Sequence, residues 1–212
     1  MARPARVSPD RILSAAALEF AERGFAGARV DRIARRARVN KAMIYYHFKS
    51  KRALYRALLR GMFALAGHRL QEIASSDRPP PEKIDETIAM FADLIRQHAA
   101  FPAVMLREVA ERGAHLDADT LTALTRVPRL VAAIVEEGIS AGVFRSVNPI
   151  FAHFTLLAPV LFFLANAPIR KEITDLHLMN LSAATSNDFV QHMQETARRA
   201  LARDVPPSRS KR

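Results

Sequence analysis

The sequence predicts an all-α chain, with a small basic helical head followed by a larger helical body. Three observations carry this. Apolar residues recur at helical spacing along the whole chain. Strand signals are scarce, with no alternating β-branched runs bounded by Asn-Gly or Asp-Gly. Charge is divided along the chain: residues 1–60 hold 15 Lys/Arg against 4 acids, residues 61–197 hold 11 against 16, and residues 198–212 hold 6 against 1. With 212 residues, half of them hydrophobic, there is ample material for a core.

Each element has its own reason. The first helix starts after Ser8, a capping residue, with Pro9 at its first position. Ile12, Ala16 and Phe20 point inward with Leu13 and Ala17 alongside, and Gly24 is a C-terminal stop. Val30, Ile33, Ala34 and Ala37 form the stripe of a second, amphipathic helix. A third begins at Asn40 and carries Ile44 and Phe48 inward. Ser50 caps a fourth, which runs through Leu54 and Leu58 to about residue 74. Residues 75–81 read Ser-Ser-Asp-Arg-Pro-Pro-Pro, a loop. The body continues with helices over 82–99, 102–112 and 119–140, the last kinked or split by Pro128. A turn-rich joint over 142–149 leads to a strongly apolar helix over 149–167 and a final helix over 187–203. Pro206 and Pro207 end order, leaving a basic tail. The expected organisation is a flexible basic arm (1–8), a head (9–55), a body (56–205) and a disordered tail (206–212).

Composition removes several function classes. Without cysteine there is no disulfide framework, thiolate zinc site, cysteine nucleophile or Cys-held iron–sulfur cluster. The seven histidines never fall at H-x-x-x-H or H-E-x-x-H spacing, and no glycine loop cradles a phosphate. Acid pairs such as Glu108/Glu111 and Glu136/Glu137 read as solvated helix acids. No catalytic residue, metal or cofactor is expected. The first ten residues hold no apolar run. The apolar stretch around 154–167 contains Pro159 and Asn166 and falls short of the ~20 residues that span a bilayer. A soluble cytoplasmic protein with no membrane partner is the expectation.

The basic head gives these charges a shape. Two short helices separated by about four residues, 38–41, have the spacing of a helix-turn-helix, whose second helix lies in the DNA major groove. Ile44 and Phe48 supply its buried side. Lys41, Ala42, Met43, Tyr45, Tyr46 and His47 fall on the remaining faces, and all three tyrosines of the chain cluster within eleven positions. Lys41 suits base edges, and Ala42 and Met43 suit thymine methyls. A chromatin-type protein that coats any duplex shares the charge pattern; it differs in predicting no sequence preference.

Residues 9–55 resemble the DNA-binding domain of the tetracycline-repressor (TetR/AcrR) family of bacterial transcription regulators. The matching residues are Ile12-Leu13-x-x-Ala16, Phe20 and Gly24-Phe25, then Val30-x-x-Ile33-Ala34-x-x-Ala37-x-Val39. The most specific block is Ile44-Tyr45-Tyr46-His47-Phe48-Lys49-Ser50-Lys51-x-x-Leu54. The resemblance implies DNA-backbone contacts at Tyr45, His47 and Lys51, and base contacts at Lys41, Ala42, Met43 and Tyr46. It also implies contacts at Arg29 and Val30, which open the second helix. There are two departures. Ala28 and Arg29 stand where the family often has two threonines, losing a hydroxyl cap of ~1 kcal/mol. Arg38 replaces a turn glycine, at roughly 1 kcal/mol if its backbone is left-handed. The basic arm (Arg3, Arg6) could reach the minor groove.

The resemblance further implies a homodimer on a palindromic operator, acting as a repressor and released by a small apolar or amphipathic effector. Phe151, Leu161, Phe162, Phe189, Met193 and Ala197, on the last two long helices, are the dimer candidates. Met90, Phe91, Leu94, Phe101, Met105, Phe154 and Leu157 are the candidate pocket walls, with Glu108 and His153 as polar members.

Overall fold

A computed structural model describes residues 8–203. The basic arm with Arg3 and Arg6, and the tail over 206–212, lie outside them. The described residues form eleven helices and one isolated antiparallel bridge, Phe144 to Ala202. The helices are α1 (Pro9–Gly27), α2 (Val30–Ala37), α3 (Lys41–Phe48), α4 (Lys51–Ala74), α5 (Pro80–Gln97), α6 (Phe101–Ala110), α7 (Ala118–Leu124), α8 (Arg126–Ser140), α9 (Pro149–Ala165), α10 (Ala167–Asp175) and α11 (Ser186–Leu201).

Local chemistry sets the boundaries. The Ser8 side chain accepts from the Asp10 N–H at 3.3 Å, and Pro9 needs no donor at the first helical position. Gly24 takes φ 65°, as a C-terminal glycine should, but the chain recovers helical geometry and runs on to Gly27, so the expected stop is a kink. The single helix expected over 119–140 is split at Thr125. Pro128 then stands in the first turn of α8, where its missing N–H costs nothing. The sequence does not predict α10. One helix is expected over 149–167 and none again before 187, but Asn166 ends α9 and Pro168 occupies the first turn of a new helix.

The chain forms two compact units, drawn differently from the functional division 9–55 and 56–205. Among the described residues, one comprises 8–65 together with Gln97–Arg126; the other comprises Ala66–Arg96 together with 127–203. In the first, Ile12, Phe20, Ile33, Ile44, Leu54 and Leu59 are fully buried, each contributing on the order of 1.5–3 kcal/mol of transfer free energy. Val104 of α6 belongs to this core, which is why α6 folds with the N-terminal helices. An aromatic knot reinforces it: Tyr55 meets Phe20 edge-on at 4.8 Å and Phe25 at 5.2 Å.

In the second unit the buried residues include Ile84, Ile88, Val131, Ile134, Leu156, Leu157 and Val160. The buried Lys83 ammonium donates to Ala74 O at 3.1 Å and pairs with Glu137 at 2.8 Å. Arg198 pairs with Asp85, also at 2.8 Å, tying α11 to α5. Two dimer candidates are corrected here. Met193 and Ala197 are buried among this unit's own residues, because α11 turns its apolar stripe inward. No single helix among the described residues is long and apolar enough to cross a membrane. Taken together, α9 and α10 pass by length and composition only, bent by 47°.

Candidate nucleic-acid interface

The turn between α2 and α3 is built without the usual small residues. Arg38 adopts a left-handed conformation, φ 52° and ψ 47°, the costly case for a side chain with a Cβ. Its N–H reaches Arg35 O at 3.1 Å, and the Val39 N–H reaches Ala34 O at 3.0 Å, closing α2. Asn40 then starts α3, its Oδ1 accepting from the Met43 N–H at 2.8 Å. Lys49 (φ 64°) ends α3, and the Ser50 hydroxyl accepts from the Ala53 N–H at 3.0 Å to start α4.

Ile44 is the one side chain of α3 that is fully buried. It pins the helix by one edge and leaves the rest outward. Lys41, Ala42, Tyr45 and Tyr46 are exposed, with Tyr46 at 71%. Met43 and His47 are half-buried. The Lys49 ammonium stands 5.8 Å from the centre of the Tyr46 ring, a cation beside the exposed phenol. One rigid helix therefore presents a lysine, a methyl, a thioether and two phenols.

The opening of α2 differs from expectation. Val30 is buried at the head of the α2 stripe, so its side chain is not offered outward. Arg29 is exposed, and no side-chain hydroxyl caps the helix. Glu19 braces this helix start from α1 in a different way, taking the N–H of Arg29 itself. This carboxylate, 1% exposed on α1, accepts from the Arg29 N–H at 3.2 Å and pairs with Arg32 Nε at 2.9 Å. The sequence reading missed it, although Glu19 continues the inward spacing of Ile12, Ala15 and Ala16.

Lys51 is the larger correction. Its ammonium donates to the carbonyls of Phe25 at 2.9 Å, Ala28 at 3.1 Å and Ala26 at 3.4 Å, and lies 4.7 Å from the Phe25 ring centre. It satisfies the C-terminal end of α1 instead of facing outward. Lys41 is exposed but pairs with Asp31 at 2.9 Å, and this hydrogen bond holds its pKa above the ordinary lysine value. Arg36 pairs with Glu22 at 2.9 Å.

Below the interface, α4 is bound to α6 and the segment after it. Glu108, fully buried, accepts from the Tyr55 hydroxyl at 2.8 Å and from the His115 N–H at 2.9 Å. Burial first, and then the Glu108 carboxylate, push the Tyr55 phenol far above its usual range. Glu108 is thus a core acceptor, not the pocket wall expected of it. Glu111 joins Glu108 and His115 in a group whose ligand-type atoms lie within 4.8 Å. This is the one set of described residues spaced to hold a metal, but its buried member is fully engaged by hydrogen bonds. Arg56 reaches His115 O at 2.8 Å and Asp117 at 3.2 Å. Hydrogen bonds from Thr120, and then Arg56 and Arg60, hold the Asp117 carboxyl below its usual range.

The other pocket candidates fall in both units. Met90, Phe91, Leu94, His153, Phe154 and Leu157 lie in the second, and Phe101 and Met105 in the first. Leu94 and Leu157 are buried, but Phe154 is 61% exposed and so is no enclosed wall. Burial lowers the His153 pKa. Among the dimer candidates Phe151 and Phe162 are exposed on α9, Leu161 is half-buried, and Phe189 stacks on Phe163 at 3.9 Å.

A braced reading helix of this kind has known counterparts. The model of bacterial regulatory proteins of the tetR family matches residues 12–58, and that of the tetracyclin repressor-like C-terminal domain matches residues 80–199. The chain belongs to the TetR family. Members of the TetR family are DNA-binding transcription regulators and not enzymes. The transcriptional repressor NicS of Pseudomonas putida is 28% identical over 156 residues, covering 73% of this chain and 74% of NicS. The transcriptional regulator RutR of Escherichia coli K12 is 30% identical over 172 residues, covering 76% and 80%. Among solved structures, the fatty acid degradation regulator FadR of Bacillus halodurans shares the fold with a TM-score of 0.72 at 16% identity, covering 92% of this chain and all of that one.

Proposed function

We propose that this chain is a repressor that binds a two-fold symmetric operator as a homodimer and is released by a small effector. The observation that carries the DNA part is the outward face of α3, with Lys41, Ala42, Tyr45 and Tyr46 held to the first core by Ile44. Arg29, Met43 and His47 flank it, and phosphates and base edges are the chemistry such donors and methyls fit. One α3 covers too few base pairs for strong discrimination, and pairing two copies one helical turn apart supplies the rest. Phe151, Phe154 and Phe162, each more than 60% exposed on α9, are the apolar surface that a second copy would cover. Repression follows the relatives NicS and KstR2, both named as transcriptional repressors. The effector reading rests on Met90, Phe91, Leu157 and the half-buried His153, an apolar set with one polar side chain. Such a protein acts in the cytoplasm, where its DNA target is.

Selection of bound duplexes from a random library tests this reading. The expected result is a symmetric site that Lys41→Ala binds less tightly and with relaxed preference, while a Phe151→Lys/Phe162→Lys double variant runs as a monomer. Equal affinity for every duplex would overturn it in favour of a DNA-coating protein.

A further inference from the structure

We infer that the first unit carries a small-molecule site of its own, a cleft between α1, α4 and the start of α6, and that it takes an organic cation with an apolar tail. The cleft is open on one side and offers about 600 Å³, within the ~300–1,000 Å³ usual for small-molecule sites. Its walls include Leu18 of α1, Met62 and Leu65 of α4, and Phe101 of α6. Leu18 remains 47% exposed there, a large aliphatic side chain left against water.

Gly61 makes this more than a surface dent. It lies mid-way along the 24-residue α4, where glycine is among the least favourable residues. No close packing requires it: a Cβ built there meets nothing within 4 Å. The structural consequence of the missing side chain is that the cleft, which Gly61 lines, stays open. The occupant's head group follows from charge. Asp10 is the one carboxylate among the lining residues, whose other polar members are Ser14, Gln97 and His98. It favours a cation over an anion in a chain of net charge +11. Occupation of this cleft can be read without DNA.

Calorimetric titration of the full chain with octyltrimethylammonium, 1-octanol and octanoate tests it. The expected order is cation, alcohol, anion, with the cation favoured over the alcohol by about two- to five-fold, the size of an exposed ion pair. Asp10→Asn should level cation and alcohol. Gly61→Leu, which places a side chain in the cleft, should weaken the cation at least about ten-fold, and Ala17→Leu narrows the same cleft from α1 should the first variant unfold. Equal binding of the three probes, or unchanged binding by a folded Gly61→Leu protein, would overturn the inference. Because no DNA is present, these outcomes are independent of whether the chain proves to be a repressor.

Discussion

Lys51 offers the sharpest test of the interface, because its two possible roles predict opposite results. As an α1 cap, its ammonium makes two part-buried hydrogen bonds to Phe25 O and Ala28 O, a longer one to Ala26 O, and a cation–π contact with Phe25. Hydrogen bonds to a charged donor are worth about 1.5–3 kcal/mol when buried. Water replaces part of that at this half-exposed helix end, and the ring adds ~0.5–1 kcal/mol. Lys51→Met, which keeps the aliphatic stem, should therefore cost about 2 kcal/mol, a fall of roughly 4–8 °C in melting midpoint for a chain of this size. The companion measurement is DNA affinity against salt. A lost phosphate contact reduces the slope of log affinity on log salt by about 0.9, whereas a lost cap leaves it unchanged. Unchanged stability together with a shallower slope would refute the capping role and restore Lys51 to the DNA surface.

Other outcomes follow from the same geometry. Arg38→Gly relieves a left-handed residue and should raise stability by about 1 kcal/mol in denaturant unfolding. Gly138→Ala places a Cβ 2.0 Å from the Phe144 ring, and should lower stability by roughly 1–3 kcal/mol through overpacking. Tyr55 is protonated and hydrogen-bonded in the folded chain, with a pKa raised from the model-compound value of 10.0. Its contribution is complete below that value and is lost as pH rises beyond it, so tyrosinate absorbance should show one of the three tyrosines refusing to ionise until the protein unfolds. Asp31→Asn frees Lys41 and removes a negative charge beside α3, and should tighten binding to operator and random duplex alike in a gel-shift titration.

Periodicity made much of the first unit legible. The inward positions Ile12, Phe20, Ile33, Ile44 and Leu54 are all buried, because a 3.6-residue repeat leaves one choice of face. What escaped were interactions between residues far apart in sequence. Lys51 reads as a surface charge until α1 brings its carbonyls from 23 to 26 positions away. Glu108 reads as a solvated helix acid or a polar member of a pocket, since nothing local shows that Tyr55 will lie 2.8 Å from the carboxylate. Met193 and Ala197 show the limit of pattern: an apolar stripe announces burial without saying whether the same chain or a second copy supplies it. Glu19 was legible and overlooked, an acid on an apolar stripe opposite a helix start that lacks its hydroxyl cap.

The same distinction governs the charge. The first sixty residues carry a net +11 by count, but much of that charge is already directed. Arg32 and Arg36 answer Glu19 and Glu22, Arg56 and Arg60 answer Asp117, and Lys51 answers a helix end. A cation held by a carboxylate at 2.9 Å attracts a phosphate only as far as the pair's dipole allows, and releasing it exchanges one ion pair for another. The field that draws DNA from a distance thus follows the whole count. The counterions released on contact follow the smaller set at α3 and the start of α2, Arg29 and Lys49, joined by Lys41 once it exchanges Asp31 for a phosphate. Salt dependence should accordingly be steep but well short of fifteen contacts, and its steepness should respond to changes on α3 and at Arg29 more than to changes along the paired face of α2.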